Sequence, residues 1–482
     1  MGLRQQYGAF NTALRSLYSD DILQLADKKK PFEFDDSLFE AAASLVYENG
    51  GFDISQLEDP AARAVINETL RVLSTAIDSG LSHEVPTTVR YALENNAFIF
   101  SGFKTFHSMR EIGLSMLTDK GDIKPFNDFM TDVKKINQMY NHNYLRAEYN
   151  HAVGTSLMAA RWHDFEQDGD RYDLQYRTAN DGKVREEHAL LHETTLPASD
   201  PFWDKYFPPN GWNCRCTVVQ VRKGKYPTSD PQLAMKRGDN CTDGVKQRMF
   251  RYNPGKTMEL FPPKHPYYKA PNDAKTVIEE VARYEHNKAL YQKLKEDEDY
   301  INVEFDETTG GVKATHKGHN WKHDENDHIR FFGNMTKEDL EAECQMQLFR
   351  LGHSAILRDE FANKKLDKTP PSLDLDLDGK IMDIASVTTD LINYRNVFNG
   401  KNRQLHRYNH LKHVNKKADA VCLYFHDPDM FSEQKVFDGI KRFKEMKYKD
   451  KETGEDKSPH VIIKHVLCVV RGSDKLHQYD FE

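Results

Sequence analysis

The chain has 482 residues, 67 Lys+Arg against 75 Asp+Glu for a formal net charge of −8, and 38% hydrophobic residues that include 27 Phe and 22 Tyr. At about 150 residues per domain this is material for roughly three cores, and the acidic balance excludes a wholly basic nucleic-acid coat while leaving room for a local basic patch. No apolar run reaches the roughly 18 residues a membrane helix needs, the opening MGLRQQYGAF has no apolar signal core, and six scattered cysteines make no disulfide framework; the expectation is a protein made in a reducing cytoplasm with no membrane partner.

Residues 1–165 read as a helical region. Between Asn127 and Phe165, Phe129, Val133, Ile136, Tyr140, Tyr144, Tyr149, Val153 and Leu157 recur at a spacing that suits one long helix or two stacked ones, with Gly154 as the expected kink. From 166 to 222 the texture is that of a small α+β unit. Tyr172–Arg177 alternates like a strand, Asn180-Asp181-Gly182 is a turn, Val184–His192 a short helix, and Cys216–Val221 a second strand. The Pro- and Gly-broken stretch 223–300 reads as a linker with some local packing, holding a helix over Ala274–Leu294. Its Gly255-Lys256-Thr257 is no phosphate loop, because Phe250 stands where the motif's first glycine belongs. Residues 301–482 begin a new α/β unit. Thr336 and Asp339 form a capping box for a helix ending at Arg350, with Gly352 beyond it. Strands follow near 353–357, 373–377 and 380–387, then a helix over 390–415 and buried strands at 420–425 and 460–470. The fold class is therefore α+β multidomain: a helical N-terminal region, a small α+β domain and a C-terminal α/β domain.

Two constellations carry chemistry. In the first, His188 and His192 lie at i, i+4 on the short helix, and Cys214 and Cys216 point to one side of an extended segment. Such donors suit tetrahedral Zn²⁺; the alternative is a loop pinned by packing and hydrogen bonds. The run VREEHALLHETTLPASDPFWDKYFPPNGWNCRC resembles the phage Mu protein F-like head morphogenesis domain, with its Arg-x-x-His helix start, double proline and closing N-C-R-C. The resemblance implies a minor head protein of a phage or prophage, made in the bacterial cytoplasm and carried in the virion, with the portal and other head proteins as partners. Where that family often has a histidine before the cysteine pair, this chain has Trp212, which weakens the Zn²⁺ reading of His188, Cys214 and Cys216.

The second constellation is Leu373-Asp374-Leu375-Asp376-Leu377-Asp378-Gly379-Lys380-Ile381-Met382-Asp383-Ile384. Asp378-Gly379 is a two-residue hairpin turn. Pairing outward from it sets Leu377 against Lys380, Asp376 against Ile381 and Leu375 against Met382, so that Leu375, Leu377, Met382 and Ile384 share one face and Asp374, Asp376 and Asp383 the other. Facing carboxylates repel; a divalent ion such as Mg²⁺ would offset that and could activate water against a phosphodiester. The alternative is a solvated strand face. Downstream, Arg395, Lys401, Arg403, Arg407, Lys412, Lys416 and Lys417 interleave with His406, His410 and His413 without an acid, a pattern suited to RNA phosphates and bases; here the alternative is a solvated basic helix face. His316, His319, His323 and His328 read as a polar, flexible entry segment, the alternative being a cluster that binds metal or RNA.

This unit resembles the tRNA-nuclease toxin domains at the C-termini of CdiA-type contact-dependent growth inhibition proteins, and the wider PD-(D/E)xK nuclease class. The resemblance implies metal-binding acids at Asp376 and Asp383, with Glu343 as a further one on the helix, and an immunity protein as a partner; the hairpin reading adds Asp374 as a third metal acid on the same face. The class's lysine two residues after the second acid is Ala385 here, leaving Lys380 as the substitute beside Asp376 and Asp383. The rival expectation is a purely structural minor capsid protein whose C-terminal domain is an inactive binding module.

Overall fold

The computed structural model describes residues 3–25, 31–81, 85, 87–168, 171–244, 246–319, 332–359, 372–411, 418–449, 456–458 and 460–480. His323, His328, Lys412, His413, Lys416 and Lys417 lie outside the described residues. The α+β multidomain expectation holds: the chain divides into two compact units, 1–282 and 283–482. Among the described residues no helix is long and apolar enough to cross a membrane.

The first unit opens with helices α1 (Leu3–Leu25), α2 (Asp36–Glu48), α3 (Pro60–Gly80), α4 (Thr87–Ser115), α5 (Phe126–Asn137) and α6 (Leu145–Asp168). Local signals start two of them: Asp35 caps α2 through the Ser37 N–H at 3.0 Å, and Asp59 caps α3, whose first residue is Pro60. Phe39, Val72, Leu73, Phe100, Phe106 and Tyr144 belong to their shared core. The helix expected over 127–165 is present, but its irregularity is a π-helical turn at Gln138–Tyr144 rather than a kink at Gly154. The wider turn sends Tyr140, Asn141, His142 and Tyr144 all inward, which a 3.6-residue period does not allow.

A three-stranded antiparallel sheet follows, with β1 (Tyr172–Arg177) between β2 (Thr195–Pro197) and β3 (Thr217–Arg222). The helix expected over 184–192 shrinks to α7 (Glu186–Ala189), and α8 (Phe202–Tyr206), α9 (Pro231–Cys241) and α10 (Pro254–Thr257) come after it. Leu174, Tyr176, Trp203, Tyr206 and Phe207 form the core beneath the sheet. The expected linker, 223–300, is packed structure over much of its length. Met249, Phe250, Leu260, Phe261 and Tyr267 are buried in the helical core, and α11 (Asn272–Glu296) closes the stretch. The prolines there shape close-fitting turns whose few apolar side chains all point inward.

Gly255 in α10 shows how tight this packing is. A Cβ there would lie 2.1 Å from Cβ of Trp162 on α6. Gly255→Ala is therefore expected to cost about 1–3 kcal/mol, read as a lower unfolding midpoint; an unchanged midpoint would show that α10 does not dock as described.

The second unit is an eight-stranded mixed sheet. Its strands in chain order are β4 (Tyr300–Phe305), β5 (Val312–His316), β6 (Ser354–Leu357), β7 (Leu375–Leu377), β8 (Lys380–Val387), β9 (Ala420–Phe425), then, after the separate ribbon β10 (Tyr448–Lys449) and β11 (Asp456–Lys457), β12 (His465–Val470) and β13 (His477–Asp480). The spatial order is β13-β12-β9-β8-β7-β6-β5-β4. Strands β8, β9 and β12 run parallel, and β9 is buried along its whole length, as a strand covered on both faces must be. Helix α12 (Lys337–Arg350) packs Leu340, Cys344 and Leu348 on one face. Helices α13 (Tyr394–Asn409) and α14 (Glu433–Lys444) pack Phe398, Leu405, Ile440 and Phe443 on the other. The Thr336–Asp339 capping box forms as expected. At the far edge, β4 is interrupted by a bulge between Ile301 and Glu304, with Asn302 at φ 53°.

Candidate functional site

The β7–β8 hairpin closes through Asp378 (φ 47°) and Gly379 (φ 76°), the two left-handed residues of a type I′ turn. Its register is Leu377 with Lys380, Asp376 with Ile381 and Leu375 with Met382. Leu375, Leu377, Met382 and Ile384 lie in one core cluster beneath α12. Asp374 and Asp383 are both almost fully buried. Asp374 Oδ2 accepts the Ile384 N–H at 3.2 Å, which ties the first acid to the residue beside the second. Asp383 Oδ1 accepts from Gln404 Nε2 at 2.9 Å, and its Oδ2 is ion-paired with Lys401 on α13. Burial pulls the Lys401 ammonium down, to about 8, against the attraction of Asp374.

A third acid enters from α12, and it is not the expected one. Glu341 is fully buried and pairs with Lys337 Nζ at 2.7 Å and His319 Nε2 at 3.2 Å, while Lys337 also reaches Asp374 at 3.7 Å. Glu343 instead binds His426 at 2.6 Å and the Tyr424 hydroxyl at 2.9 Å. Two residues along a helix is a rotation of roughly 160°, so only Glu341 turns toward the hairpin acids. The other expectations divide in the same way. Asp376 is only half-buried, and Lys380 is exposed at the turn, with Asp480 as a charged neighbour. Lys401, expected to grip RNA, instead takes the place beside Asp383 that Ala385 leaves without a cation. Arg395, Arg403 and Arg407 are exposed and fall within about 120° of helix circumference, together with His406 and His410. Lys401 projects from the opposite side, among Tyr394, Phe398 and Leu405. The site is thus three buried carboxylates threaded by two lysines, with a basic helix face behind it. The carboxylates are hard oxygen donors of the kind Mg²⁺ takes, but Glu341, Asp374 and Asp383 do not bring an oxygen each within 4.8 Å of one another; the lysines between them occupy the positions of the neutralising cation.

In the first unit, His188 on α7 faces the Cys214–Cys216 loop. Cys214 Sγ and Cys216 Sγ each lie 3.6 Å from His188 Nδ1, and the three donor atoms are all within 4.8 Å of one another. Burial opposes charge on His188, but the sulfurs of Cys214 and Cys241 outweigh it and hold the imidazole up, to about 10. The Cys216 thiol and His188 hold Cys214 well below the ordinary thiol range. His192 is not part of this group: its Nδ1 accepts the Thr178 N–H at 3.1 Å. The loop is anchored by Arg215, bidentate to Asp181 at 2.7 Å, and by Arg185, which donates to the Trp212 carbonyl at 2.8 Å. Arg146, Lys183, Arg185 and Arg215 line a cavity of about 690 Å³ that Cys214 and Cys216 border.

Residues 124–219 match the family model for Phage Mu protein F like protein. That segment resembles phage Mu protein F. The chain is 42% identical over 71 residues to the "Putative capsid assembly protein F" of Escherichia phage Mu, and 38% identical over 68 residues to the "Mu-like prophage FluMu F protein" of Haemophilus influenzae. These matches cover 14% and 13% of this chain and 16% of each relative, so the chain spans about a sixth of the length of the curated relatives it matches. No solved structure matches the chain. The Mu F-like segment takes in α5, α6, β1, β2, the start of β3, His188, Cys214 and Cys216; it ends before α9.

Proposed function

We propose that this chain is a phage or prophage head-assembly protein of the Mu F type, carried in the virion with other head proteins, the portal among them, as partners. The identity to the Mu capsid assembly protein carries this reading, and the NCRC loop with its two arginine anchors supports it. Mass spectrometry of particles from an induced lysogen tests it: the chain should copurify with the head, and its absence from washed particles would remove the reading.

For the second unit we propose a metal-assisted nucleic-acid phosphodiesterase, with tRNA as substrate and an immunity protein as its antagonist. The observation that favours it is the burial of Glu341, Asp374 and Asp383 around Lys401. Asp374, Asp383 and Glu341 would close around the ion in place of the lysine ammonium groups; when bound, it supplies a water of lowered pKa. Lys401 and Lys337 place positive charge where a phosphoryl oxygen gains negative charge, and Arg395, Arg403 and Arg407 give the RNA backbone a run of cations. The full chain with Mg²⁺ should cut end-labelled tRNA, Asp383→Asn should lower the rate by about 10²–10³-fold, and Glu343→Gln should leave it unchanged. If the wild-type chain leaves tRNA whole, or Asp383→Asn cuts as fast, the cluster is a salt-bridged core and the unit a binding module.

A further inference from the structure

We propose that Cys241 joins His188, Cys214 and Cys216 in a tetrahedral Cys₃His site for a thiophilic divalent ion of the zinc class. The inference stands apart from the phosphodiesterase reading, since every residue belongs to the first unit.

The first argument is distance. Metal–sulfur and metal–nitrogen bonds of about 2.3 and 2.1 Å at a tetrahedral angle put nitrogen and sulfur about 3.6 Å apart. Both sulfurs stand at 3.6 Å from His188 Nδ1. The second argument is valence. One imidazole nitrogen has a single lone pair or a single N–H, so it cannot make two full hydrogen bonds to two sulfurs. An ion between the three donors satisfies all of them at once.

The fourth donor follows from what surrounds His188. His192, one turn on, is occupied by Thr178. Cys241 is the last residue of α9, almost fully buried, an electrostatic neighbour of His188 and part of the apolar cluster against which Cys216 packs; it stands just outside the three donors that already lie within 4.8 Å of one another, and closes on the ion as the fourth. Helix α9 reaches this place because Gly238, one turn earlier, lies flat against the Tyr206 ring, where a Cβ would come within 2.4 Å. Three thiolates and one neutral imidazole are the soft donor set of closed structural zinc sites. Binding sends the remaining thiol protons and the His188 imidazolium proton to solvent, and the closed site fastens α7, the NCRC loop and α9 together.

The test uses the full chain, stripped with a chelator and reloaded with Co²⁺ as the probe. The expected result is one ion per chain with tetrahedral visible bands and a strong sulfur-to-cobalt charge-transfer band. Cys241→Ser should lower that band by about one third and weaken binding at least tenfold, while His192→Ala should change neither. If Cys241→Ser does not fold, Cys241→His keeps a fourth donor and should give the weaker band of a two-thiolate site. Overturning results are a reloaded wild-type chain holding no stoichiometric metal, a charge-transfer band unchanged in Cys241→Ser or Cys241→His, or a Cys214–Cys216 disulfide in the freshly purified protein.

Discussion

Lys104→Met is expected to destabilise the first unit by about 3–5 kcal/mol, because it strands a charge that nothing else compensates. Lys104 on α4 and Glu148 on α6 form an ion pair with side chains 1% and 0% exposed. Burial drives each toward its neutral form, lowering Lys104 and raising Glu148, against their mutual attraction. Glu148 also accepts the Tyr18 hydroxyl at 2.8 Å, and Tyr18 meets His265 Nε2 at 3.0 Å. Removing the ammonium leaves this carboxylate in the core with a phenol for company. The fall in melting temperature should be on the order of 10 °C. Adding Glu148→Leu to Lys104→Met should restore most of it, since a volume-matched apolar pair costs little where an unpaired charge costs much. Thermal unfolding of the two variants decides: equal losses in single and double variants would mean that the pair itself, rather than the stranded charge, sets the stability.

Acid is expected to loosen the same unit well above the carboxylate range. Burial pushes His107 and His151 down to about 3 and His265 well below its ordinary value. The hydrogen bonds agree with neutral rings. His265 Nδ1 accepts the Tyr267 N–H at 3.2 Å, and His107 meets the Tyr7 hydroxyl at 2.7 Å and the Tyr267 carbonyl at 2.8 Å through its two nitrogens. In the unfolded chain these histidines titrate near 6.5. Below that pH the unfolded state binds protons that the folded state refuses, so stability falls as pH falls. From pH 7 to 5 each histidine contributes a loss of about 2 kcal/mol. Glu111 and Glu148, which burial raises, act in the opposite sense, so the clean readout is a difference between variants. His151→Phe should reduce the slope of stability against pH by about 0.7 kcal/mol per pH unit at pH 6.5, growing to about 1.3 kcal/mol per pH unit near pH 5. Urea midpoints measured across pH 5–7 give that slope, and parallel curves for the two proteins would sink the assignment.

The features that were legible beforehand are those encoded by neighbours in the chain. Asp378-Gly379 dictates its turn, the turn dictates the register, and the register places the leucines and aspartates of both strands. Thr336 and Asp339 announce α12. What stayed hidden depends on faces that exist only after the layers assemble. Glu341 and Glu343 are equivalent until the Leu340–Cys344–Leu348 stripe meets the sheet. Lys401 reads as one more cation in a basic run, yet it falls on the side of α13 that carries Tyr394, Phe398 and Leu405, a helical-wheel signal that was there to be used. Cys241, the proposed fourth donor, stands beyond the Mu F-like segment and comes into the neighbourhood of His188 only through the docking of α9. The supposed linker failed for a related reason: overall polarity averages away a handful of aromatic residues that are all buried.

The interrupted outer strand β4 has a consequence for crowded surroundings. A straight, unpaired strand at the end of an eight-stranded sheet offers its backbone to any second copy that drifts alongside. The extra residue near Asn302 breaks the regular ladder and bends that border, while Glu304 adds a charge to it, held by Lys313 at 2.7 Å. Copies held close to one another therefore meet a crooked, charged margin that resists fusing into a continuous intermolecular sheet.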